Sequence, residues 1–185
     1  MKIVLGSASP RRSELLRQLG VDFRILKADC SEEFNPQDTP EQIVQSIAQQ
    51  KSDALMSEIG AEELLICADT IVYLNHEVIG KPIDSTDAIR LLQQLSGNSH
   101  DVFTGVILRN QEKTVRFTVK TSVYFRSLRS SEIEHYVKHF QPLDKAGSYG
   151  IQDWIGLIGV EKIEGSYTNV MGLPTQELYL ALQNF

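Results

Sequence analysis

The chain has 185 residues, 23% of them charged, a formal net charge of -6 and two cysteines. That acidic balance excludes broad binding to nucleic acid polymers, which are held by many Lys and Arg contacts spread over a surface. No apolar run approaches the roughly 20 residues that span a bilayer, and the start Met1-Lys2-Ile3-Val4-Leu5-Gly6 lacks the apolar stretch of a signal peptide, so a cytoplasmic protein without a membrane partner is expected. Cys30 and Cys67 are far apart and outside any CxxC motif, which points to packing rather than a disulfide or a thiolate metal site.

Residues 2–6 read as a short apolar strand, followed by Ser7-Ala8-Ser9-Pro10-Arg11-Arg12 and a helix closed by Gly20, with Ser9 as N-cap and Pro10 at the first helical position. Val21, Phe23 and Ile25 alternate as in a half-buried strand. After a polar stretch over 27–38, Thr39-Pro40-Glu41-Gln42 predicts a capping box opening a helix with Ile43, Ile47, Ala48, Ala54, Leu55 and Ile59 on one stripe. A buried strand is expected over 64–68, ending in Asp69-Thr70, and then a hairpin of 71–74 and 77–79 about Asn75-His76. Asp84 or Ser85 starts a helix closed by Gly97, strands follow over 101–109 and 115–125, and Ser131 with Glu134 predicts the cap of a further helix to about Phe140. A glycine-rich stretch runs from Gln141 through Val160, and a last helix ends near Phe185. With no linker or repeat, the pattern predicts one domain over 1–185, of α/β class, with a mixed twisted sheet and flanking helices.

The loop Ser7 to Arg12 is a candidate anion site. Small residues admit a ligand to the backbone, the following helix presents free N–H groups, and Arg11 and Arg12 add forked donors matched to phosphate. Two arginines in a first helical turn oppose the helix dipole unless something negative faces them. The GxxxxGK[ST] spacing of a P-loop is absent. Asp69 follows an apolar strand, where open α/β sheets place ligands, although a turn-forming Asp explains its position equally well. Lys51 interrupts the apolar stripe between Ile47 and Leu55, either as a site residue or as a lysine whose ammonium reaches water along its stem.

Lys81 is a second cation on a loop, and Glu32 and Glu33 can supply a second carboxylate. Carboxylates with several cations make up the composition of metal-assisted phosphoryl chemistry, in which acids hold Mg²⁺ or orient water and bases offset charge on phosphate oxygens. His135 and His139 have metal-pair spacing but lack the Glu of HExxH, and read better as a solvated helix face. Gln152, in the bent loop Asp144 to Gln152, suits a hydrogen bond to the edge of a base; an ordinary turn explains that loop as well.

Taken together, Ser7-Ala8-Ser9-Pro10-Arg11-Arg12, Ala68-Asp69-Thr70, Gly80-Lys81-Pro82, Asp144 through Gln152, and Gly165-Ser166-Tyr167 through Val170-Met171-Gly172-Leu173-Pro174 resemble the Maf nucleotide pyrophosphatases over essentially the whole chain. The resemblance implies a Maf/ITPase-like α/β fold with two lobes around a deep cleft, a homodimer, a divalent cation (Mg²⁺ or Mn²⁺) and hydrolysis of a nucleoside triphosphate to the monophosphate and pyrophosphate. It implies Asp69 as proton acceptor and metal ligand, Glu32 as metal ligand, and Lys51 and Lys81 at the phosphates. Substrate binding falls to Ser7, Ser9, Arg11, Arg12, Thr70 and Gln152, of which Arg11, Thr70 and Gln152 set substrate choice. Tyr149-Gly150-Ile151-Gln152 looks like the branch acting on dTTP and UTP, set apart from a 7-methyl-GTP branch. Members of the family are also associated with arrest of septum formation, which keeps a non-catalytic nucleotide-binding regulator in view.

Overall fold

A computed structural model describes residues 1–185. The fold is mixed α/β: seven strands hydrogen-bond in the order β2-β1-β3-β5-β6-β7, with β4 beside β3, and helices flank the sheet. The chain divides into two compact units, the first made of Met1–Thr70, Thr104–Val119 and Gly172–Phe185, the second of Ile71–Phe103 and Lys120–Met171.

The first unit opens with β1 (Lys2–Gly6), which pairs in parallel with both β2 (Phe23–Leu26) and the start of β3 (Glu63–Leu74). Parallel strands buried on both faces are continuous apolar runs, and Leu64 to Ala68 are fully buried. Helix α1 (Pro10–Gln18) starts as its sequence requires: the Ser9 side chain accepts from Arg12 N at 3.5 Å, and Gly20 (φ +74°) turns the chain away from its end. Helix α2 (Pro40–Leu55) has the expected capping box, with Gln42 Oε1 accepting from Thr39 N at 2.9 Å and Thr39 Oγ1 accepting from Gln42 N at 3.3 Å. Ile43, Val44, Ile47, Ala48 and Leu55 are buried, and Ala54, placed on that stripe by spacing, is exposed. The C-terminal part of β5 (Ser99–Arg109) lies directly against α2: a Cβ on Gly105 would stand 2.8 Å from the Val44 carbonyl carbon. The unit is completed by the N-terminal part of β6 (Thr114–Phe125) and by the last helix, Thr175–Gln183.

In the second unit, β3 turns into β4 (Glu77–Ile79) through Asn75 and His76, both at positive φ (51° and 68°), the backbone of a tight hairpin. Helix α3 (Ser85–Leu95) is capped by Asp84, whose carboxylate accepts from Asp87 N at 2.8 Å. Helix α4 (Ser130–Phe140) begins ahead of the expected Ser131/Glu134 cap. Arg129 takes the N-cap position and Glu132 closes the box, accepting from Arg129 N at 2.8 Å while Arg126 holds the same carboxylate from the other side. That ion pair holds Glu132 well below the usual carboxylate range, at about 2, and decides the register of the cap.

The glycine-rich stretch contains regular elements that spacing does not reveal: α5 (Trp154–Gly159) and β7 (Val160–Glu164), which pairs antiparallel with β6, followed by α6 (Tyr167–Met171). Asn169, fully buried, donates to Val102 O at 3.1 Å and Thr121 Oγ1 at 3.0 Å and so ties this segment to β5 and β6. The core of the unit gathers Val72, Leu92, Val102, Val123, Phe125, Ile133, Tyr136, Tyr149 and Ile155.

Candidate active site

Asp69 sits inside a strand rather than after one. β3 runs unbroken from Glu63 to Leu74, so the carboxylate belongs to a residue of extended backbone flanked by buried Ala68 and Ile71. The expected strand end at Ala68 is therefore corrected: Asp69 does not break the strand because its charge is met locally. Lys51, projecting from the buried stripe of α2, donates from Nζ to Asp69 Oδ1 at 2.6 Å. Both residues are 8% exposed. A buried lysine and a buried aspartate are each costly to desolvate alone, and contact removes most of that penalty.

The same ammonium lies 2.9 Å from Glu32 Oε1, whose side chain is 44% exposed. Lys51 thus bridges two carboxylates, and of the three donors of an ammonium one remains for a further anion. Glu32 adopts φ +53°, a left-handed backbone uncommon for a side-chain-bearing residue, and such strain persists where surroundings enforce it. Glu33, the alternative carboxylate by sequence, is fixed instead through its backbone, its carbonyl accepting from Gln50 Nε2 at 2.6 Å. The choice between neighbouring glutamates is thus made by loop conformation, which residue type alone does not reveal.

Beside this cluster, Arg12 is drawn inward from the first turn of α1. Its guanidinium donates to Gly172 O at 2.7 Å, to Thr70 Oγ1 at 3.0 Å and to Ser7 Oγ at 3.4 Å. All three acceptors are uncharged. Burial lowers the Arg12 pKa from its ordinary value, the Asp69 charge opposing that shift and Arg11 adding to it. A half-buried cation whose hydrogen-bond acceptors are neutral keeps its charge unmatched by them, and a phosphate would supply the opposite charge that the hydroxyls and carbonyl do not. Ser7 is buried and also accepts from Ser9 N at 3.1 Å, which folds the loop back on itself. Arg11 is half-buried, and it is Arg12 that reaches Thr70.

Thr104 goes unremarked in the sequence, and Gly172 stands there only as part of a motif. Thr104, fully buried in β5, shares a 2.9 Å hydrogen bond with Thr70 Oγ1. Its signal was a lone hydroxyl in the apolar run Val102-Phe103-Thr104-Gly105-Val106. Gly172 offers its carbonyl to Arg12 and stands at φ +110°, a conformation that suits glycine and resists other residues.

Lys81 and Gln152 belong to the second unit. Lys81 is exposed on the segment after β4, where Gly80 O accepts from Gly147 N at 3.0 Å. Gln152 is half-buried, and its Oε1 is sequestered without a hydrogen-bond partner. His135 and His139 are exposed on α4, their rings 4.3 Å apart, with His139 Nδ1 2.8 Å from the His135 carbonyl, as a solvated helix face would be. No group of three or more His, Cys, Asp or Glu side chains is placed to hold a metal ion. Cys67 is buried and free, its thiol pushed up to about 12 by burial, and Cys30 is likewise free, in keeping with packing roles.

The Maf-like protein family model matches residues 2–185. The chain belongs to the Maf-like family. A Maf-like relative from Bacteroides fragilis, named dTTP/UTP pyrophosphatase, is 51% identical over 183 residues, covering 98% of this chain and 95% of that protein. One of the same name from Parabacteroides distasonis is 45% identical over 185 residues, covering 100% of this chain and 96% of its own. Among solved structures, the Staphylococcus aureus Ham1 protein aligns with a TM-score of 0.48 at 13% identity, over 68% of this chain and 72% of that one. Of the segments that carry the resemblance, Ser7 to Arg12, Asp69-Thr70 and Gly172 meet around Arg12 and Lys51 in the first unit.

Proposed function

We propose that this protein hydrolyses dTTP and UTP to the monophosphate and pyrophosphate. The observation that carries the reading is the Lys51 bridge between Asp69 and Glu32, in the unit where half-buried Arg12 is held by neutral acceptors. The substrate named for the relatives at 45% and 51% identity supports the choice of pyrimidine triphosphates.

In this reading Asp69 Oδ2, the oxygen not engaged by Lys51 Nζ, accepts a proton from the water that attacks the α phosphorus. The bond between the α phosphorus and its bridging oxygen breaks, and pyrophosphate leaves with the electron pair. Lys51 holds the carboxylate in place and offers its remaining N–H to a phosphate oxygen. Arg12 and the Ser7–Arg12 loop, with Arg11, bind the phosphate chain, and the role of Lys81 as a further phosphate cation rests on the family resemblance alone. Thr70 and Thr104 fix the Arg12 fork. Gln152 offers an amide to the base, its sequestered Oε1 matching the ring N–H donor of thymine or uracil and not the ring acceptor of cytosine.

The donor set fits a divalent cation. Asp69 and Glu32 supply hard oxygens gathered at one ammonium, and Mg²⁺ or Mn²⁺ typically takes one or two carboxylates together with substrate phosphate and water. Bound there, it would supply charge to stabilise the phosphate oxygens. A homodimer acting in the cytoplasm on a small-molecule substrate completes the proposal. A panel of nucleoside triphosphates with Mg²⁺, assayed separately for pyrophosphate and orthophosphate, tests it. Pyrophosphate chiefly from dTTP and UTP is expected; orthophosphate alone, or no release from any nucleotide, would overturn the reading.

A further inference from the structure

The turn that carries Gln152 is held in a way the reaction itself does not require. Gly150 O accepts from Asp153 N at 3.0 Å, which closes the turn through the backbone. One side chain then grips both ends: the Tyr136 hydroxyl accepts from Gly150 N at 3.1 Å and donates to Asp153 Oδ2 at 2.6 Å. A phenol is among the few side-chain groups able to accept from one end of a turn and donate to the other. Tyr136 is fully buried in α4, and its ring stacks on Phe140, so the hydroxyl has little freedom to leave.

The surroundings admit little else. A Cβ on Gly150 would lie 2.5 Å from Asp153 Oδ2, so the carboxylate occupies the space a side chain would need. A Cβ on Gly156 would lie 2.0 Å from Ile151 O, so α5 presses on the carbonyl inside the turn. Before the turn, Tyr149 is buried and shares a 2.7 Å hydrogen bond with His100 Nε2. Ile151 is sealed into the core, which leaves half-buried Gln152, its Oε1 shut off from solvent and without a partner, as the polar side chain held by this frame.

We propose that Tyr136, acting through Asp153, is a positioning residue for base selection, holding the Gln152 amide at a fixed attitude toward a pyrimidine. The inference rests on the proposed dTTP/UTP activity and adds to it: selectivity depends on a phenol and a carboxylate that touch neither phosphate nor base. Burial and the Asp153 bond both push the Tyr136 phenol up, so the clamp keeps its proton across the working range of pH.

The test uses Y136F, D153A and D153N in the full chain. Y136F and D153A each raise KM for dTTP and UTP by about tenfold while kcat stays within about twofold, and each narrows the preference for UTP over CTP. D153N, whose amide oxygen still accepts from the phenol, stays close to wild type. The double variant Y136F/D153A is no worse than Y136F, because Y136F already removes the bond to Asp153 as well as the one from Gly150. Hydrogen exchange at the Gly150 amide, slow in wild type, quickens in Y136F and reads the clamp without reference to activity. Unchanged KM and selectivity in Y136F, or a fall in kcat alone that tracks a lowered melting temperature, would overturn the role while leaving the activity standing. An inactive wild-type enzyme would overturn both readings.

Discussion

The two units solve opposite problems of burial. In the first, Lys51 and Asp69 are buried ionic groups and Arg12 a half-buried one, and each is tolerated because something nearby offsets its charge or accepts its protons. In the second, the turn about Gln152 is framed by the phenols of Tyr136 and Tyr149, a histidine that burial keeps uncharged, and one carboxylate, Asp153, that the Tyr136 hydroxyl holds at 2.6 Å. Charge suits the stabilisation of moving phosphate charge; a frame fixed in shape by hydrogen bonds suits telling one flat base from another. Substitutions should therefore divide by unit, those in the first changing turnover and those in the second changing selectivity or pH tolerance.

The largest effect should come from Asp69. D69N keeps the shape and most nucleotide binding but loses the proton acceptor, and kcat is expected to fall on the order of 10³-fold in a pyrophosphate-release assay. A variant with near-normal turnover would remove Asp69 from the chemistry and blur the contrast between the units.

Next in size is a stability effect confined to the second unit. Burial lowers the His100 pKa from 6.5 to about 4, with Asp101 opposing. The unfolded chain binds this proton first, so the contribution is complete above pH 6.5 and is lost as pH falls toward 4. Over that window the shift corresponds to roughly 3 kcal/mol. Urea unfolding of wild type and H100N between pH 7 and 4 should show the variant losing less stability on acidification; parallel curves would mean the buried imidazole is not the titrating group.

A smaller change is expected at Lys51. K51M leaves Asp69 and Glu32 facing each other without their shared cation, and kcat/KM should drop by about 100-fold, with a steeper dependence on added Mg²⁺. Activity indifferent to this change would show the bridge to be structural. Smallest is G172A, which forces a side chain into a φ of +110° and should cost about 1 kcal/mol in thermal unfolding while loosening the carbonyl that Arg12 grips. An unaltered melting temperature would remove the claim that this backbone is strained.

Much of the frame was legible because local chemistry and tertiary structure agree. The caps at Ser9, Thr39 and Asp84, the hairpin about Asn75-His76 and, Ala54 excepted, the apolar stripe of α2 stand where spacing put them. Lys51 was visible as an interruption of that stripe, and its buried pair with Asp69 is the physical reason for the interruption. Its partner deceived: an aspartate after an apolar run reads as a strand end, and only a lysine 18 positions earlier lets the strand continue through it. The start of α4 shifted for a similar reason, since Arg126 fixes Glu132 rather than leaving Glu134 to cap. The selection of Arg12 to reach Thr70 and of Glu32 to meet Lys51 depends on loop torsions that no residue type announces. Tyr136 was invisible as more than core, because its partners lie 14 and 17 residues away.

The bare α-carbon at Gly105 has a reach beyond its own contacts. Because an added methyl would stand 2.8 Å from the Val44 carbonyl carbon, the height of α2 above β5 is set by a missing side chain. The same helix carries Lys51 two turns further along, where a 2.6 Å contact with Asp69 leaves no slack. Gly105 is thus a gauge block for the ion pair: an atom's width added there would be read out as distance between an ammonium and a carboxylate on another strand.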